Sequence, residues 1–397
     1  MHIYTGVDLL LTDLPATLTR GRIGLVTNNA ATTLAYGSPV PPLTPSRGAL
    51  RDAGVNLVRL FGPEHGLAGG AIDGAAVTDT HDPLTGLPVV SLYGAGFAPA
   101  PEALADLDVL LFDIPDVGVR FYTYIWTLAY VMDVCAEVGL PLWVLDRPNP
   151  IGGNLDMCEG PMLADDISSF VGRWPMPVRH SLSVGELATY WNATRGLGVD
   201  LRVIPARDWT RSRDLPDLSL PFVPASPNMP DIEAAQVYPG TCFFEGTNVS
   251  EGRGTATPFR GVGAPWLDAY AVVDALNAHN LPGARARAFE FIPAAGKYAG
   301  EMCQGVMLHV TNRKTLRPVA YGLTLLTTIA ALQPDDFAWL PYPTAARGPG
   351  YGHFDALVGR TDIRTAIDAG GIDAGVIRRW TACPEWRNAV TPHLLYA

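Results

Sequence analysis

Five short, almost wholly apolar segments in the first 150 residues constrain the fold more than any other feature of this 397-residue chain. They are Ile23–Thr27, Asn56–Phe61, Val89–Leu92, Val109–Ile114 and Leu142–Asp146. Strands that are buried on both faces of a parallel sheet have this nearly continuous apolar character. Between them lie helical patterns near Thr44–Ala53, Glu102–Ala105 and Tyr124–Val138. The alternation predicts an α/β fold built on a doubly wound, mostly parallel sheet.

The chain is longer than most single hydrophobic cores, so we expect two domains. A segment rich in Pro and Asp, Leu215–Pro230, marks the transition. After it come glycine-rich loops, helical patterns near Trp266–His279 and Ala320–Leu332, and a strand-like segment at Gly305–Thr311. We therefore predict a doubly wound domain over residues 1–225 and a smaller α+β domain over residues 226–397 that contributes to the cleft.

Composition narrows the classes of partner and compartment. The net charge of −11, without a run of Lys or Arg, argues against nucleic acid and membrane surfaces as partners. The five cysteines contain no CxxC pair and predict reduced, mostly buried thiols. The N-terminus has no secretory signal pattern, and no apolar stretch approaches the roughly 20 residues of a membrane span, which favours a cytoplasmic protein. A mature chain whose secretory signal had been removed would show the same N-terminal pattern.

Polar clusters directly follow the predicted strands. Asn28 follows the first strand, the GPEHG motif at Gly62–Gly66 the second, the segment Asp113–Tyr124 the fourth, and Asp146–Pro150 the fifth. Ligands of open α/β sheets bind at the carboxyl ends of the strands, where such loops converge. The clusters therefore predict a single cleft.

Glu64 is the sharpest catalytic candidate, with His65 beside it as a binding candidate. Glu64 stands between Pro63 and His65, is flanked by glycines and follows a buried strand, so a substrate can approach its backbone closely. A cleft at a strand end also supplies the desolvation that a general acid needs. The alternative is a glutamate that only caps a helix or stabilises a turn.

Three further segments supply candidate residues. The stretch FDIPDVGVRFYTYIWT mixes charged groups with aromatic faces, a combination that suits carbohydrate, and its candidates are Asp116, Arg120, Tyr122 and Tyr124. The loop DRPNPIGG contributes Arg147 and Asn149, although turn chemistry alone accounts for most of its residues. The glycine-rich region Ser226–Thr255 contributes Asn228, Tyr238, Glu245, Asn248, Ser250, Glu251 and Arg253.

Other chemistries find little support in the motifs. The chain has no GxGxxG after its first strand, no Walker A motif, no GxSxG elbow and no HExxH. Its eight histidines are scattered, so no metal site is predicted.

Taken together, the motifs resemble those of the NamZ-like exo-β-N-acetylmuramidases, a bacterial glycoside hydrolase family formerly known only as a domain of unknown function. The matching segments are TNNAA at Thr27–Ala31, FGPEHG at Phe61–Gly66, FDIPDVGVRFYTYIWTL at Phe112–Leu128, LDRPNPIGG at Leu145–Gly153, and YPG with FFEGTNVSEGRGTATPF within Tyr238–Phe259. The similarity extends to the LLY at Leu394–Tyr396 and so covers essentially the whole chain.

The resemblance implies a Rossmann-like catalytic domain that binds no dinucleotide, a smaller C-terminal domain and an active site in the cleft. It also implies that terminal β-N-acetylmuramic acid is removed from the non-reducing end of peptidoglycan fragments, without a cofactor. The substrate would then be a small carbohydrate, a muramyl disaccharide or a muropeptide, in cell wall recycling. The family's catalytic glutamate falls on Glu64.

Glycoside hydrolysis generally uses two carboxyl groups around an oxocarbenium-like transition state. With Glu64 as the acid, Glu251 is the first candidate for its partner, followed by Glu245 and Asp116. The lactyl carboxylate of muramic acid predicts an arginine contact, for which the candidates are Arg120, Arg147 and Arg253.

Two other classes of function remain open on the sequence alone. Two α/β lobes around a cleft also describe a non-catalytic protein that binds sugars or muropeptides. A nicotinamide-dependent enzyme is a weaker alternative, because the glycine fingerprint is missing. The sequence does not predict the oligomeric state.

Overall fold

The computed structural model describes residues 3–35, 40–68, 80–93, 97–341 and 351–397. Its larger sheet has seven strands in the order β3-β4-β2-β1-β5-β6-β7. The strands are β1 (Ile23–Thr27), β2 (Leu57–Gly62), β3 (Thr80–His81), β4 (Pro88–Ser91), β5 (Val109–Asp113), β6 (Leu142–Leu145) and β7 (Leu201–Ile204). Strands β3 and β4 pair antiparallel, and the other neighbours pair parallel. The predicted doubly wound sheet is therefore confirmed, although β3 and β7, at its two edges, were not predicted.

Helices pack around this sheet and separate its strands. They are α1 (Gly6–Thr12), α2 (Ala16–Arg20), α3 (Ser46–Asp52), α4 (Tyr124–Val138), α5 (Val184–Arg195) and α6 (Leu215–Leu218). Helix α4 has the predicted bounds and ends at Gly139, whose φ of 70° is the left-handed conformation common after a helix. The pattern at Glu102–Ala105 forms only a short 3₁₀ turn, Pro101–Ala103.

A smaller α+β region follows, as predicted. Its strands are β8 (Gly261–Ala264), β9 (Ala284–Phe291) and β10 (Cys303–Val310), which form an antiparallel sheet in the order β8-β10-β9. Its helices are α7 (Ile232–Thr241), α8 (Ala269–Ala278), α9 (Pro318–Leu332), α10 (His353–Val358), α11 (Thr361–Ala369), α12 (Ala374–Thr381) and α13 (Pro384–Val390). Further 3₁₀ turns lie at Leu155–Met157, Cys242–Gly246 and Thr391–His393.

Helices α7 and α9 approach each other closely through glycine. A Cβ atom on Gly240 would lie 1.9 Å from the Pro318 carbonyl oxygen, and one on Gly322 would lie 2.3 Å from the Gly240 carbonyl oxygen. Only glycine allows the two backbones to come this close. The contact fixes α7, which was not predicted as a helix, against α9.

One hydrophobic core extends through both regions. It contains Trp126 and Trp191, which stack with their ring centroids 5.3 Å apart, and continues to Phe244 and Leu325 of the smaller region. Each large apolar side chain that is fully buried stabilises the fold by roughly 1.5–3 kcal/mol. Among the residues described, no helix combines the length and apolar character needed to cross a membrane.

The C-terminal segment returns to the first region. The Trp386 indole nitrogen donates to the carbonyl of His180 at 2.9 Å. The ring of Tyr396 packs against Trp209, with centroids 4.7 Å apart, and its hydroxyl donates to Asp146 at the end of β6. Residues that are far apart in sequence therefore complete the structure around the larger sheet.

Candidate functional site

The turn that carries Glu64 reverses the chain immediately after β2. His65 and Gly66 both have left-handed backbones, with φ of 64° and 71°. The Gly66 amide donates to the Pro63 carbonyl at 2.9 Å, and a Cβ atom on Gly62 would lie 2.8 Å from the Leu67 nitrogen. A left-handed non-glycine residue costs roughly 1–2 kcal/mol and is typical of functional sites. The turn holds Glu64 and His65 at the carboxyl end of the sheet.

Glu64 is almost completely buried, with 7% of its surface exposed. The Thr123 hydroxyl donates to its Oε2 atom at 2.5 Å. Thr123 occupies the N-cap position of α4, yet its hydroxyl makes no capping bond to that helix. A capping threonine stabilises a helix by about 1 kcal/mol, and here the hydroxyl orients the glutamate instead.

Glu64 lines a cavity of about 340 Å³ between the two regions of the chain. Its walls are partly aromatic: Phe121 and Tyr238 meet edge to face at 5.2 Å, and Tyr122 and Tyr124 at 5.0 Å. Burial raises the pKa of the Tyr122 and Tyr238 hydroxyls well above the usual value, so both stay neutral. Rings with neutral hydroxyls suit a sugar, which offers both C–H faces and hydroxyl groups.

The smaller region contributes a network of charged side chains to this cavity. Arg253 Nη2 lies 2.6 Å from Glu245 Oε1, and its Nε lies 3.1 Å from Glu251 Oε1. Lys297 Nζ lies 2.9 Å from Glu251 Oε2 and donates to the carbonyls of Phe244 and Val249. Two cations therefore flank Glu251, and one of them is shared with Glu245.

His353 closes the network at the start of α10. Its Nε2 atom lies 3.7 Å from Glu245 Oε2. Burial lowers the pKa of His353 below the usual value, against the opposing effect of Glu245, so the imidazole is mainly neutral at pH 7. A neutral imidazole can accept a proton from a neighbouring group and becomes a cation when it does so.

The structure brings nine of the predicted residues together in this cavity. They are Glu64, His65, Tyr122, Tyr124, Asn228, Tyr238, Glu245, Glu251 and Arg253. Seven other predicted residues lie outside its lining: Asn28, Asp116, Arg120, Arg147, Asn149, Asn248 and Ser250.

The two arginines outside the cavity are bound to the protein itself. Arg120 is fully buried and donates to the carbonyls of Pro161, Met176 and Leu357. Arg147 forms two bonds to Asp113, at 2.7 and 3.0 Å. Both guanidinium groups therefore hold distant segments of the chain together.

The other five predicted residues outside the cavity also make internal contacts. Asp116 accepts from the Gly118 amide at 2.7 Å and faces His180 Nε2 at 3.3 Å. The side chains of Asn28 and Ser250 accept hydrogen bonds from the amides of Ala30 and Gly252. Asn149 donates to the Leu182 carbonyl and accepts from the Ile151 amide. Asn248 donates to the Asp336 carbonyl and accepts from the Ala338 amide.

A second crevice lies where the strand order reverses, between β1 and β5. Asp116 and Arg147 line it, and residues 221–223 and 225 also contribute to its walls, leaving about 50 Å³. Ligand pockets usually measure about 300–1,000 Å³, so this crevice is too small for a dinucleotide. Within the described ranges, no group of three or more His, Cys, Asp or Glu side chains is arranged to hold a metal ion.

Four further side chains that line the cavity were not selected from the sequence: Thr123, Phe259, Lys297 and His353. Lys297 had a detectable signal, because it and Lys314 are the two lysines of a chain whose other basic residues are arginines. Thr123 and Phe259 lay inside segments that resemble the family but were not chosen as candidates. His353 had no comparable signal.

Comparisons with known proteins match the whole chain. Two models of exo-beta-N-acetylmuramidase NamZ match it, the N-terminal one over residues 23–233 and the C-terminal one over residues 236–396. The peptidoglycan beta-N-acetylmuramidase NamZ of Bacillus subtilis (strain 168) is 44% identical over 368 residues, which cover 93% of this chain and 85% of that protein.

Solved structures agree with these matches. One DUF1343 family protein from Bacteroides fragilis superposes with a TM-score of 0.86 at 31% identity and covers 100% of this chain and 99% of its own. A second from the same organism gives a TM-score of 0.74 at 28% identity, with 99% of both chains covered.

Proposed function

Because this chain belongs to the exo-β-N-acetylmuramidase NamZ family, we propose that it hydrolyses terminal β-N-acetylmuramic acid from the non-reducing end of peptidoglycan fragments, with Glu64 as the general acid. One observation carries the assignment of Glu64. Its carboxyl group, oriented by Thr123, lines the same cavity as the cationic side chains of Arg253 and Lys297. An acid next to a cationic, partly aromatic pocket fits an anionic sugar and its leaving group.

In the proposed reaction, Glu64 donates its proton to the glycosidic oxygen as the bond from that oxygen to C1 breaks. Water supplies the oxygen that binds C1 and gives up a proton. A second carboxylate either accepts this proton as the base, or bonds to C1 as a nucleophile before water attacks, in which case the Glu64 carboxylate accepts the proton. Glu251 remains our first choice for this carboxylate and Glu245 the second, since both line the cavity. Asp116 is the weakest candidate because it lies outside the lining and contacts Gly118 and His180.

Arg253 is our choice for the contact with the lactyl carboxylate. The other two candidates, Arg120 and Arg147, lie outside the lining of the cavity. Arg253 itself pairs with Glu245 and Glu251, so the lactyl carboxylate would compete with those two groups for it. Arg253 lines the cavity, and a guanidinium group can bind a carboxylate through two parallel hydrogen bonds. Lys297 adds a second positive charge on the same wall.

We also propose that residues 1–225 and 226–397 are two domains, with the second contributing Glu245, Glu251 and Arg253 to the cleft. A cytoplasmic site of action is our proposal as well. Five free thiols suit a reducing compartment, and burial raises the pKa of the Cys135 and Cys383 thiols to about 12, which makes them unreactive.

The experiment compares p-nitrophenyl β-N-acetylmuramide with the corresponding glucosaminide, using the wild type and Glu64→Gln. We expect wild-type turnover of the aryl glycosides that prefers the muramide. Proton donation is tested on N-acetylmuramyl-β-1,4-N-acetylglucosamine, because p-nitrophenolate leaves without a proton. On this disaccharide, turnover should fall by roughly 10²- to 10⁴-fold in the variant, because glutamine cannot donate the proton. Circular dichroism and thermal melting should show an intact fold. Full activity of the variant on the disaccharide would assign the acid to another group, and a wild type inactive on both aryl glycosides would refute the proposed function.

A further inference from the structure

The loop between β9 and β10, residues 292–302, reaches the cavity that Glu64 lines. Its residue in the lining of the cavity is Lys297. Lys297 lies between Gly296 and Tyr298, whose φ values of 81° and 57° are both left-handed. Left-handed residues on each side turn the chain sharply. The loop therefore presents Lys297 to the cavity at the tip of a tight turn.

Contacts with two other segments hold this loop in place. The Ala294 amide donates to the Gly254 carbonyl at 2.8 Å, and a Cβ atom on Gly254 would lie 2.4 Å from the backbone of the next residue in the loop. The Trp266 indole nitrogen donates to the Tyr298 hydroxyl at 3.1 Å. The position of Lys297 is therefore set by the packing of the loop and needs no ligand.

The protein itself supplies an acceptor for each donor of the Lys297 ammonium group. Nζ lies 2.8 Å from the Phe244 carbonyl oxygen, 3.0 Å from that of Val249 and 2.9 Å from Glu251 Oε2. The Glu245 carbonyl oxygen lies nearby at 3.5 Å. A lysine ammonium has three N–H donors and no acceptor. A sugar carboxylate could therefore bind Nζ only by displacing one of these oxygens.

The Glu251 carboxylate is held at both of its oxygens by cations from different segments. Oε1 lies 3.1 Å from Arg253 Nε, and Oε2 lies 2.9 Å from Lys297 Nζ. Glu245 differs: its Oε1 pairs with Arg253, and its Oε2 is 3.7 Å from His353. Glu251 is also only 5% exposed, and a buried carboxylate is costly unless it is paired. A rotation of the Glu251 carboxylate would break an ion pair, so its orientation is fixed.

We infer that Lys297 is a positioning residue for the reaction: it fixes the Glu251 carboxylate in the cavity and does not itself bind the sugar. The inference rests on the proposed function and deepens it, because Glu251 is our first choice for the second carboxylate. The two cations then have different tasks. Arg253 meets the lactyl carboxylate, and Lys297 acts through Glu251. A reacting group misplaced by about 1 Å can lower a rate about a hundredfold.

The first experiment measures kcat and KM of the wild type and Lys297→Met on p-nitrophenyl β-N-acetylmuramide. This substrate isolates the second carboxylate, because its leaving group needs no proton from Glu64. Methionine keeps most of the length of the side chain and removes the charge. We expect kcat to fall roughly ten- to hundredfold, while KM and the inhibition constant of free N-acetylmuramic acid stay within about threefold of the wild type. An unchanged kcat, or a rise of both constants by about tenfold or more, would overturn the inference.

A double-mutant cycle tests whether Lys297 acts through Glu251. Glu251→Gln keeps the size of the side chain and removes the charge that Lys297 holds. If Lys297 only positions Glu251, adding Lys297→Met to Glu251→Gln should change kcat by less than about threefold. A lysine that merely stabilises the fold would lower kcat by the same factor in both backgrounds, and that result would overturn the inference.

The matched control is Lys314→Met. Lys314 is the second lysine of the chain, is exposed, and lies 3.4 Å from Asp214, outside the lining of the cavity. Its kcat should stay at the wild-type value, and a loss as large as that of Lys297→Met would overturn the inference. If Lys297→Met does not fold, Lys297→Gln replaces it with the same expected results.

An NMR measurement separates this inference from the proposed function, since it needs no hydrolysis. Protein labelled with ¹⁵N-lysine contains two ammonium groups, and Lys314 serves as the internal reference. We expect the Lys297 ammonium protons to exchange with water roughly tenfold faster in Glu251→Gln than in the wild type, because the charged acceptor is lost. If the wild type does not hydrolyse the aryl muramide, the proposed function fails, and this measurement still decides the contact: equal exchange rates would overturn it.

Discussion

Two polar clusters lie at the same edge of the larger sheet, yet they differ in what their side chains do. In the crevice between β1 and β5, Arg147 and Asp113 are committed to each other and about 50 Å³ is left open. In the cavity that Glu64 lines, Arg253 is shared between two carboxylates around about 340 Å³. The two clusters therefore differ in how much open space the rest of the chain leaves around their charged side chains.

The largest effect that tests this contrast is on stability. Arg147→Met leaves the Asp113 carboxylate buried without its cation, so we expect the free energy of unfolding to fall by about 3–5 kcal/mol. Because Arg147 lies outside the catalytic cavity, kcat of the folded variant should stay within about threefold of the wild type. Urea denaturation and steady-state kinetics measure the two quantities. A hundredfold loss of kcat with normal stability would place Arg147 in the site.

An intermediate effect is expected on the other side of the comparison. Arg253→Lys keeps the positive charge but loses the two-bond geometry, so KM for the aryl muramide should rise roughly ten- to hundredfold. KM for the glucosaminide, which has no lactyl carboxylate, should change far less. Equal changes for both glycosides would remove Arg253 from the recognition of the lactyl group.

A third effect concerns Asp146, which directly follows β6 and precedes Arg147. Burial raises its pKa to about 6, against the hydrogen bonds from Ser183, Tyr396 and Gly185. Since the folded state holds this proton more tightly than the unfolded chain, the stabilisation is complete below about pH 4 and is lost as the pH rises through 6. We expect the wild type to lose roughly 2–3 kcal/mol relative to Asp146→Asn over that range, since each unit of pKa difference is about 1.4 kcal/mol. Parallel denaturation curves between pH 4 and 7 measure it, and a constant difference would contradict the shift.

The central elements of the fold were predictable because buried segments consist mainly of apolar residues, which can be recognised in the sequence. Strand β1 and helix α4 have the predicted bounds, since apolar residues fill the buried strand and the buried face of the helix. Strand β7 was missed because it is a half-exposed edge strand of only four residues. Helix α7 was not predicted: it lies in the glycine-rich region and contains Pro239 and Gly240, and only the tertiary contact with α9 shows why that glycine is needed.

The sequence predicted where the cavity lies, but not which side chains line it. The GPEHG motif located Glu64, which the structure places in the cavity. Arg120 and Arg253 were equally good candidates for the lactyl contact on the sequence alone. The partners of Arg120 are 41, 56 and 237 residues away in the chain, so no local sequence pattern could predict them. The contact between Lys297 and Glu251, 46 residues apart, was hidden for the same reason.

The contacts of Trp386 and Tyr396 with the first region also impose an order on biosynthesis. The ribosome releases the strands of the larger sheet well before these two residues exist, so a nascent chain exposes the surfaces around His180 and Trp209 that they later cover. The hydrogen bond from the Tyr396 hydroxyl to Asp146 likewise forms only after Tyr396 has been synthesised. The larger sheet can therefore begin to form during translation, but its final packing is completed only after the smaller region has been made.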